Sequence, residues 1–177
     1  TLQYLFHIIE KRCNEGIPTI IVLDECWVFL DHPIFKMKIR EWLKTMRKKN
    51  VQIIFATQNL EDIAESGIAS AIIESCPIKI YLPNPDAINE NNAAVYHKFG
   101  VNDKEREIIG KATAQKEYYY KSSLGSRLFS LALERCPFTL AYVASASPQD
   151  QEKARQIMES NPKEFNFFWL KYKGLGS

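Results

Sequence analysis

The sequence predicts an α/β fold built on a parallel sheet, and three observations carry that expectation. The stretch Thr19-Ile20-Ile21-Val22-Leu23-Asp24-Glu25 is a run of β-branched and aliphatic residues that ends in two adjacent carboxylates. Val51-Gln52-Ile53-Ile54-Phe55-Ala56-Thr57-Gln58 repeats the pattern, a short apolar strand closing on polar residues. Between them Phe35, Ile39, Trp42, Leu43 and Met46 recur at helical spacing, so a helix joins the two strands. A strand apolar on both faces is expected where helices cover both sides of a parallel sheet. Polar residues at the carboxyl ends of successive strands mark the crevice where open α/β sheets take ligands.

The elements follow in order. Leu2, Leu5, Phe6 and Ile9 predict an opening amphipathic helix that ends near Gly16. Ile17 to Asp24 is the first strand. Asp31-His32-Pro33 starts the second helix with Pro in its first turn, and Lys36, Lys38, Arg40, Lys44, Arg47, Lys48 and Lys49 form its other face. Val51 to Ala56 is the second strand, Ile68 to Glu74 a short helix, and Pro77 to Leu82 a third strand stopped by Pro83-Asn84-Pro85. Asp86 to Gly110 reads as two helices joined near Val101-Asn102-Asp103. Lys116 to Ser122 and Arg127 to Leu133, flanking Ser123-Leu124-Gly125-Ser126, predict a β-hairpin. Phe138 to Val143, with Phe138, Leu140 and Tyr142 alternating, predicts one more strand. Ser147-Pro148 opens a helix that Asn161-Pro162 breaks, and Glu164 to Lys173 gives an aromatic-rich terminal helix.

Size and composition narrow the function classes. With 177 residues, 46% of them hydrophobic, the chain predicts a single compact unit with one substantial core. A net charge of +2 gives no global electrostatic case for nucleic acid. The longest apolar run, Ile17 to Leu23, is too short to span a bilayer, and no signal-peptide pattern opens the chain. An opening Thr1 in place of Met suggests a piece of something longer. Cys13, Cys26, Cys76 and Cys136 are scattered without a CxxC pair, which predicts reduced thiols in place of a disulfide frame or zinc site. His7, His32 and His97 lack the partners of a catalytic triad, and surface or packing roles are expected of them.

Asp24 and Glu25 are the first candidates for chemistry. Adjacent carboxylates at a strand end are costly unless they meet cations or do work. In phosphate-hydrolysing ATPases the first acid holds the water shell of Mg²⁺ and the second orients or deprotonates the attacking water. A strand that merely runs into an acidic turn carries the same letters. Gln58 adds an amide that both donates and accepts, suited to reporting on a γ-phosphate or a lytic water, although a plain loop entry also fits.

Laid in order, these residues resemble the conjugative-transfer and type IV secretion ATPases of the TrbE/CagE class. Asp24-Glu25-Cys26-Trp27 is similar to that family's second nucleotide motif, with Cys26 where a small apolar residue is usual. Ile39 to Asn50 is similar to its basic helix and Ala56 to Asp62 to its glutamine motif. Ile80 to Asn84 resembles the strand that follows, and Tyr118 to Ser122 with Gly125 to Phe129 its late hairpin. The similarity runs from about Thr19 to Leu175. It implies the C-terminal half of a RecA-like P-loop ATPase core, with a β-hairpin and a helical C-terminal appendage. It also implies ATP and Mg²⁺ as cofactors, hexamers, and a place at the cytoplasmic side of the bacterial inner membrane beside other type IV secretion components. There the family is thought to energise pilus assembly or substrate transfer.

One departure is large. No GxxxxGK(S/T) loop occurs, and Gly110-Lys111-Ala112-Thr113 lies on a predicted helix without the upstream glycines. The family places that loop before the acidic strand, hence upstream of residue 1, so the chain is expected to be inactive alone. The resemblance makes Arg47 either an arginine finger acting on a neighbouring subunit or a cation at a helix end. Arg127, in the expected hairpin, is read as approaching the nucleotide or as making a surface ion pair. Trp27 is expected to pack, with an adenine platform as its other reading, and the cluster Phe165, Phe167, Phe168, Trp169 and Tyr172 is expected to pack on the parent core, with docking to a neighbouring subunit or membrane component as its other reading. Two other classes stay open: a DNA-binding translocation module, which the charge does not support, and a structural docking module.

Overall fold

The computed structural model of the chain describes residues 2–14, 16–25, 30 and 32–176. Cys26, Trp27 and the start of the second helix at Asp31 lie outside the described residues. Instead of the single unit that length suggests, the chain divides into two compact units, Thr1–Phe129 and Ser130–Ser177.

The larger unit opens with α1 (Leu2–Cys13), β1 (Thr19–Leu23) and α2 (Pro33–Thr45), which tightens into a 3₁₀ turn at Met46–Lys49. Pro33 stands in the first turn of α2, where a missing N–H costs nothing. That helix buries Phe35, Ile39, Trp42 and then Met46, the face read from the sequence. Phe6 of α1 packs on Phe35 and edge-on against Trp42, with ring centroids 5.4 and 5.2 Å apart. Glu10 pins the two helices together, accepting from the Trp42 indole at 2.7 Å and from Lys38 Nζ at 2.8 Å. Burial pushes the Glu10 carboxyl up, but the bonds from Lys38 and Trp42 outweigh it and hold the group below the usual carboxylate range.

Asn50 ends the 3₁₀ turn in the left-handed conformation, with φ 59° and ψ 37°, a role that Asn tolerates well. β2 (Val51–Phe55) begins at once and runs parallel to β1, in register from Thr19 opposite Val51 to Leu23 opposite Phe55. Ile21, Leu23, Ile53 and Phe55 pack against the helical core. The alternate face differs from expectation. Ile20 and Val22 are 62% exposed and Ile54 41%, so the sheet is covered on one side only. Two strands fill one face with α1 and α2, and no second helical layer lies over the other among the described residues.

Next come α3 (Leu60–Glu65) and α4 (Ala69–Ser75), then β3 (Lys79–Tyr81), a 3₁₀ turn at Pro85–Ile88, α5 (Glu90–Lys98) and α6 (Asp103–Lys111). β4 (Glu117–Ser122) and β5 (Gly125–Ser130) form the expected hairpin. Its turn has two residues, not four: Ser122 Oγ accepts from Leu124 N–H and donates to the Gly125 carbonyl, so β5 starts two residues early. β3 joins β4 antiparallel, Tyr81 opposite Tyr119, giving a second sheet of order β3-β4-β5. A second core of Tyr81, Ala87, Tyr96, Val101, Ile109 and Tyr119 lies under it.

Two adjacent charges organise that core. Glu105, 6% exposed, completes a capping box with Asn102 and also accepts from Tyr119 Oη at 2.9 Å and Lys121 Nζ at 2.6 and 2.7 Å. Arg106, 3% exposed, donates to the carbonyls of Ala87, Ile88 and Asn89 and to Asp103. The 3₁₀ turn is thereby stitched to α6.

The smaller unit holds α7 (Pro137–Val143), α8 (Pro148–Ser160) and α9 (Phe165–Tyr172). The strand expected at Phe138–Val143 is corrected to a helix. Pro137 supplies a helical first turn, and Leu140 N–H reaches the Cys136 carbonyl at 3.0 Å. The alternating Phe138, Leu140 and Tyr142 are exposed side chains, while Ala141 between them is buried against Trp169, whose indole donates to the Ala141 carbonyl at 3.0 Å. Trp169 also stacks on Phe165 at 5.9 Å, whereas Phe167 faces solvent.

Candidate active site

Parallel pairing brings the two polar strand ends to one edge. The ladder continues one step beyond β2, where Ala56 N–H donates to the Leu23 carbonyl at 3.0 Å. Asp24 and Glu25 therefore leave β1 beside Thr57 and Gln58 leaving β2. Asp24 is exposed and Glu25 half-buried. Glu25 has φ +50°, a left-handed conformation that non-glycine residues seldom adopt and that recurs at functional turns. The Gln58 side-chain amide donates to the Glu25 carboxylate. Two residues 33 apart in sequence, chosen separately from their strand-end positions, thus touch.

The turn that carries Gln58 is internally bonded. Thr57 Oγ1 donates to the Asn59 carbonyl at 2.9 Å and accepts from the Asn59 N–H at 3.2 Å. Asn59 in turn caps α3, its Oδ1 accepting from Glu61 N–H at 3.0 Å. Sequence reasoning singles out neither Thr57 nor Asn59. The signal is nevertheless present in Asn59 followed by Leu60-Glu61-Asp62, a capping residue with acids in the first turn.

Arg47 lies elsewhere. It sits exposed in the 3₁₀ turn before β2, at the amino end of that strand, while Gln58 follows the carboxyl end. The five residues of β2 span roughly 16 Å at about 3.3 Å each. Arg47 is not brought to Glu25 within this chain. The basic row around it is partly engaged: Lys38 pairs with Glu10 and Glu41, and Arg40 donates to the Gly67 carbonyl at 2.7 Å. Arg127, exposed on β5, stands over the Tyr120 ring at 6.0 Å, a cation–π contact within one sheet.

Among the described residues no group of three or more His, Cys, Asp or Glu side chains could hold a metal by itself. The edge nevertheless suits Mg²⁺, which keeps most of its water and takes one or two carboxylates together with substrate phosphates. Asp24 and Glu25 offer those hard oxygen donors.

Residues 4–128 match the model of the TraG P-loop domain. The chain belongs to that family. It is 40% identical over 174 residues to a conjugal transfer protein TrbE of Rhizobium radiobacter, covering 98% of this chain and 21% of that protein. A type IV secretion system protein virB4 of Bartonella henselae is 33% identical over 159 residues, 89% of this chain and 20% of that protein. The type IV secretion system protein CagE of Helicobacter pylori is 34% identical over 135 residues, 76% of this chain and 13% of that protein. The resemblance first seen in the acidic pair, the glutamine motif and the hairpin is borne out. This member of the TraG P-loop family spans about a fifth or less of the length of these curated relatives. No helix among the described residues is long and apolar enough to cross a membrane.

Proposed function

We propose that the chain is the C-terminal part of a RecA-like ATPase core within a longer polypeptide, a hexameric motor that energises type IV secretion or conjugative transfer. The observation that carries the reading is the hydrogen bond from Gln58 to Glu25 at the carboxyl edge of two parallel strands. In this reading Glu25 orients and deprotonates the attacking water, and Gln58 positions that carboxylate and reports on the γ-phosphate. Asp24 holds Mg²⁺ through water; when bound, the ion neutralises charge on the phosphates. Arg47, at the far end of β2, serves the neighbouring subunit's phosphate, and Arg127 approaches the nucleotide from the hairpin.

The bare sheet face supports a longer core. Ile20, Val22 and Ile54 form an apolar layer of the kind a parallel sheet buries under a second set of helices. Ile80 and Leu82 beside the second sheet are likewise exposed. We assign both to contact with the upstream half of the core, which also supplies the phosphate loop. In the cell the motor sits at the cytoplasmic side of the inner membrane with other secretion components.

Calorimetry tests the division between the two halves. Mg-ATP titrated into this chain should give no binding tighter than millimolar, whereas the longer protein should bind it in the micromolar range; a micromolar dissociation constant for this chain alone refutes the assignment of the phosphate contacts to the other half.

A further inference from the structure

We infer that Thr57 is a positioning residue of the reaction, acting through Gln58 on Glu25; this rests on the proposed role of those two. Packing does little to hold Gln58 in place. Its side chain is exposed, so packing does not fix its rotamer, and a long amide on a free loop would sample many positions. Yet it reaches one carboxylate. The restraint lies in the backbone on either side. β2 holds Phe55 and Ala56 through the ladder to β1. The cap of α3 holds Asn59 through Glu61 N–H.

Thr57 closes the remaining gap. Its hydroxyl donates to the Asn59 carbonyl and accepts from the Asn59 N–H, bracketing Gln58 through the residue that follows it. A hydroxyl alone can do both at once, because it has one donor and two acceptor lone pairs. A β-branched residue also restricts its own χ1, which keeps the oxygen aimed along the turn. The Thr57-Gln58-Asn59 turn is therefore a bracket that presents the amide at a fixed place beside a Glu25 backbone itself held in an uncommon conformation. Without the bracket the amide is displaced by loop motion and the carboxylate loses its register with the substrate water. Sites held to about half an ångström depend on such supporting bonds.

Two arms test this, one of which needs no ATPase activity. In this chain, the side-chain NH₂ resonances of Gln58 report its bond to Glu25, identified by their movement in Glu25→Ala. Thr57→Val, nearly isosteric without the hydroxyl, should move them toward solvent-exposed glutamine values, while Thr57→Ser should leave them in place. Should Thr57→Val not fold, Thr57→Ala carries the same expectation. Unmoved resonances in the hydroxyl-free variant, or equal loss in Thr57→Ser, overturn the inference.

In the longer protein Thr57→Val should lower kcat by about 10- to 100-fold with KM for ATP little changed, since misplacement of a catalytic group acts on the chemical step. Thr57→Ser should restore turnover, and adding Thr57→Val to Gln58→Ala should cost nothing further. A rise in KM alone, or full additivity of the two changes, contradicts action through Gln58. The readings fail separately: turnover that survives Glu25→Gln defeats the site assignment, whereas the resonance arm judges the Thr57 bracket by itself.

Discussion

Glu105 is the residue whose change should be felt most in the larger unit. Its carboxylate receives four donor contacts: Asn102 N–H at 2.8 Å, Tyr119 Oη at 2.9 Å and Lys121 Nζ at 2.6 and 2.7 Å on its two oxygens. Glu105→Gln keeps the shape, but its single carbonyl oxygen can accept from only one of Asn102 N–H and Tyr119 Oη, which donate to different oxygens of the carboxylate. It removes the charge that Lys121 faces, and its amide NH₂ turns a donor toward a donor. Removing one partner of a buried ion pair costs about 3–5 kcal/mol. Lys121 keeps 25% of its side chain exposed and can turn partly to water, so the cost falls below that range, to about 2–3 kcal/mol. Urea unfolding of this chain, followed by near-ultraviolet circular dichroism, measures it. Replacing both partners, as Glu105→Leu with Lys121→Met, should cost less than Glu105→Leu alone, because no charge is left stranded. A Glu105→Gln variant within about 0.5 kcal/mol of the parent would show that the buried pair contributes no more than a surface one, since that is the scatter of surface substitutions.

The same group sets a pH dependence. Burial pushes the Glu105 carboxyl up, but the bonds from Lys121, the Asn102 N–H and Tyr119 together hold it below the usual carboxylate range. A folded-state pKa below the unfolded one gives stability that is complete above the unfolded value and fades as pH falls through the folded value. The parent chain should therefore lose stability on acidification below the ordinary glutamate range, and Glu105→Gln should lose less.

Two further outcomes are expected. Tyr81 Oη is buried with no hydrogen-bond partner among the described residues, and burial drives its phenol well above the usual tyrosine range, so Tyr81→Phe should be neutral or stabilising by up to about 1 kcal/mol in the same urea assay; a destabilisation of more than about 1 kcal/mol contradicts this. In the longer protein Arg47→Ala should cut turnover by roughly 10³–10⁵ while costing under about 1 kcal/mol of stability, and mixing it with Glu25→Gln protein should restore part of the activity in mixed rings; mixed rings without recovery leave Arg47 a helix-end cation.

The meeting of the two polar strand ends was legible because its cause is local. Buried strands need apolar runs, so the acids and the amide had to stand at strand ends, and parallel pairing through α2 brought those ends together. The buried face of α2 was legible for the same reason, since its period is set by the helix itself. Phe138–Val143 misled because alternation describes a half-buried strand only when a sheet is there to receive it. In α7 the buried residue is Ala141, the smallest of the run, chosen by the Trp169 indole. The uncovered face of β1 and β2 was illegible for a different reason: an apolar run records that a face is to be buried, not by which stretch of a polypeptide. Glu105 was half legible. Asn102-Asp103-Lys104-Glu105 spells a capping box, but nothing local says that Tyr119 and Lys121 arrive on the same carboxylate.

In the proposed function the edge formed by Asp24, Glu25 and Gln58 performs ATP hydrolysis. Its most direct test is Glu25→Gln in the longer protein, with Mg-ATP binding by calorimetry and phosphate release measured on the same preparation. Loss of a general base and of the charge that orients the water should lower turnover by about 10²–10⁴ while leaving ATP affinity within a few-fold. Turnover at the parent rate, with binding intact, would rule out that role for Glu25.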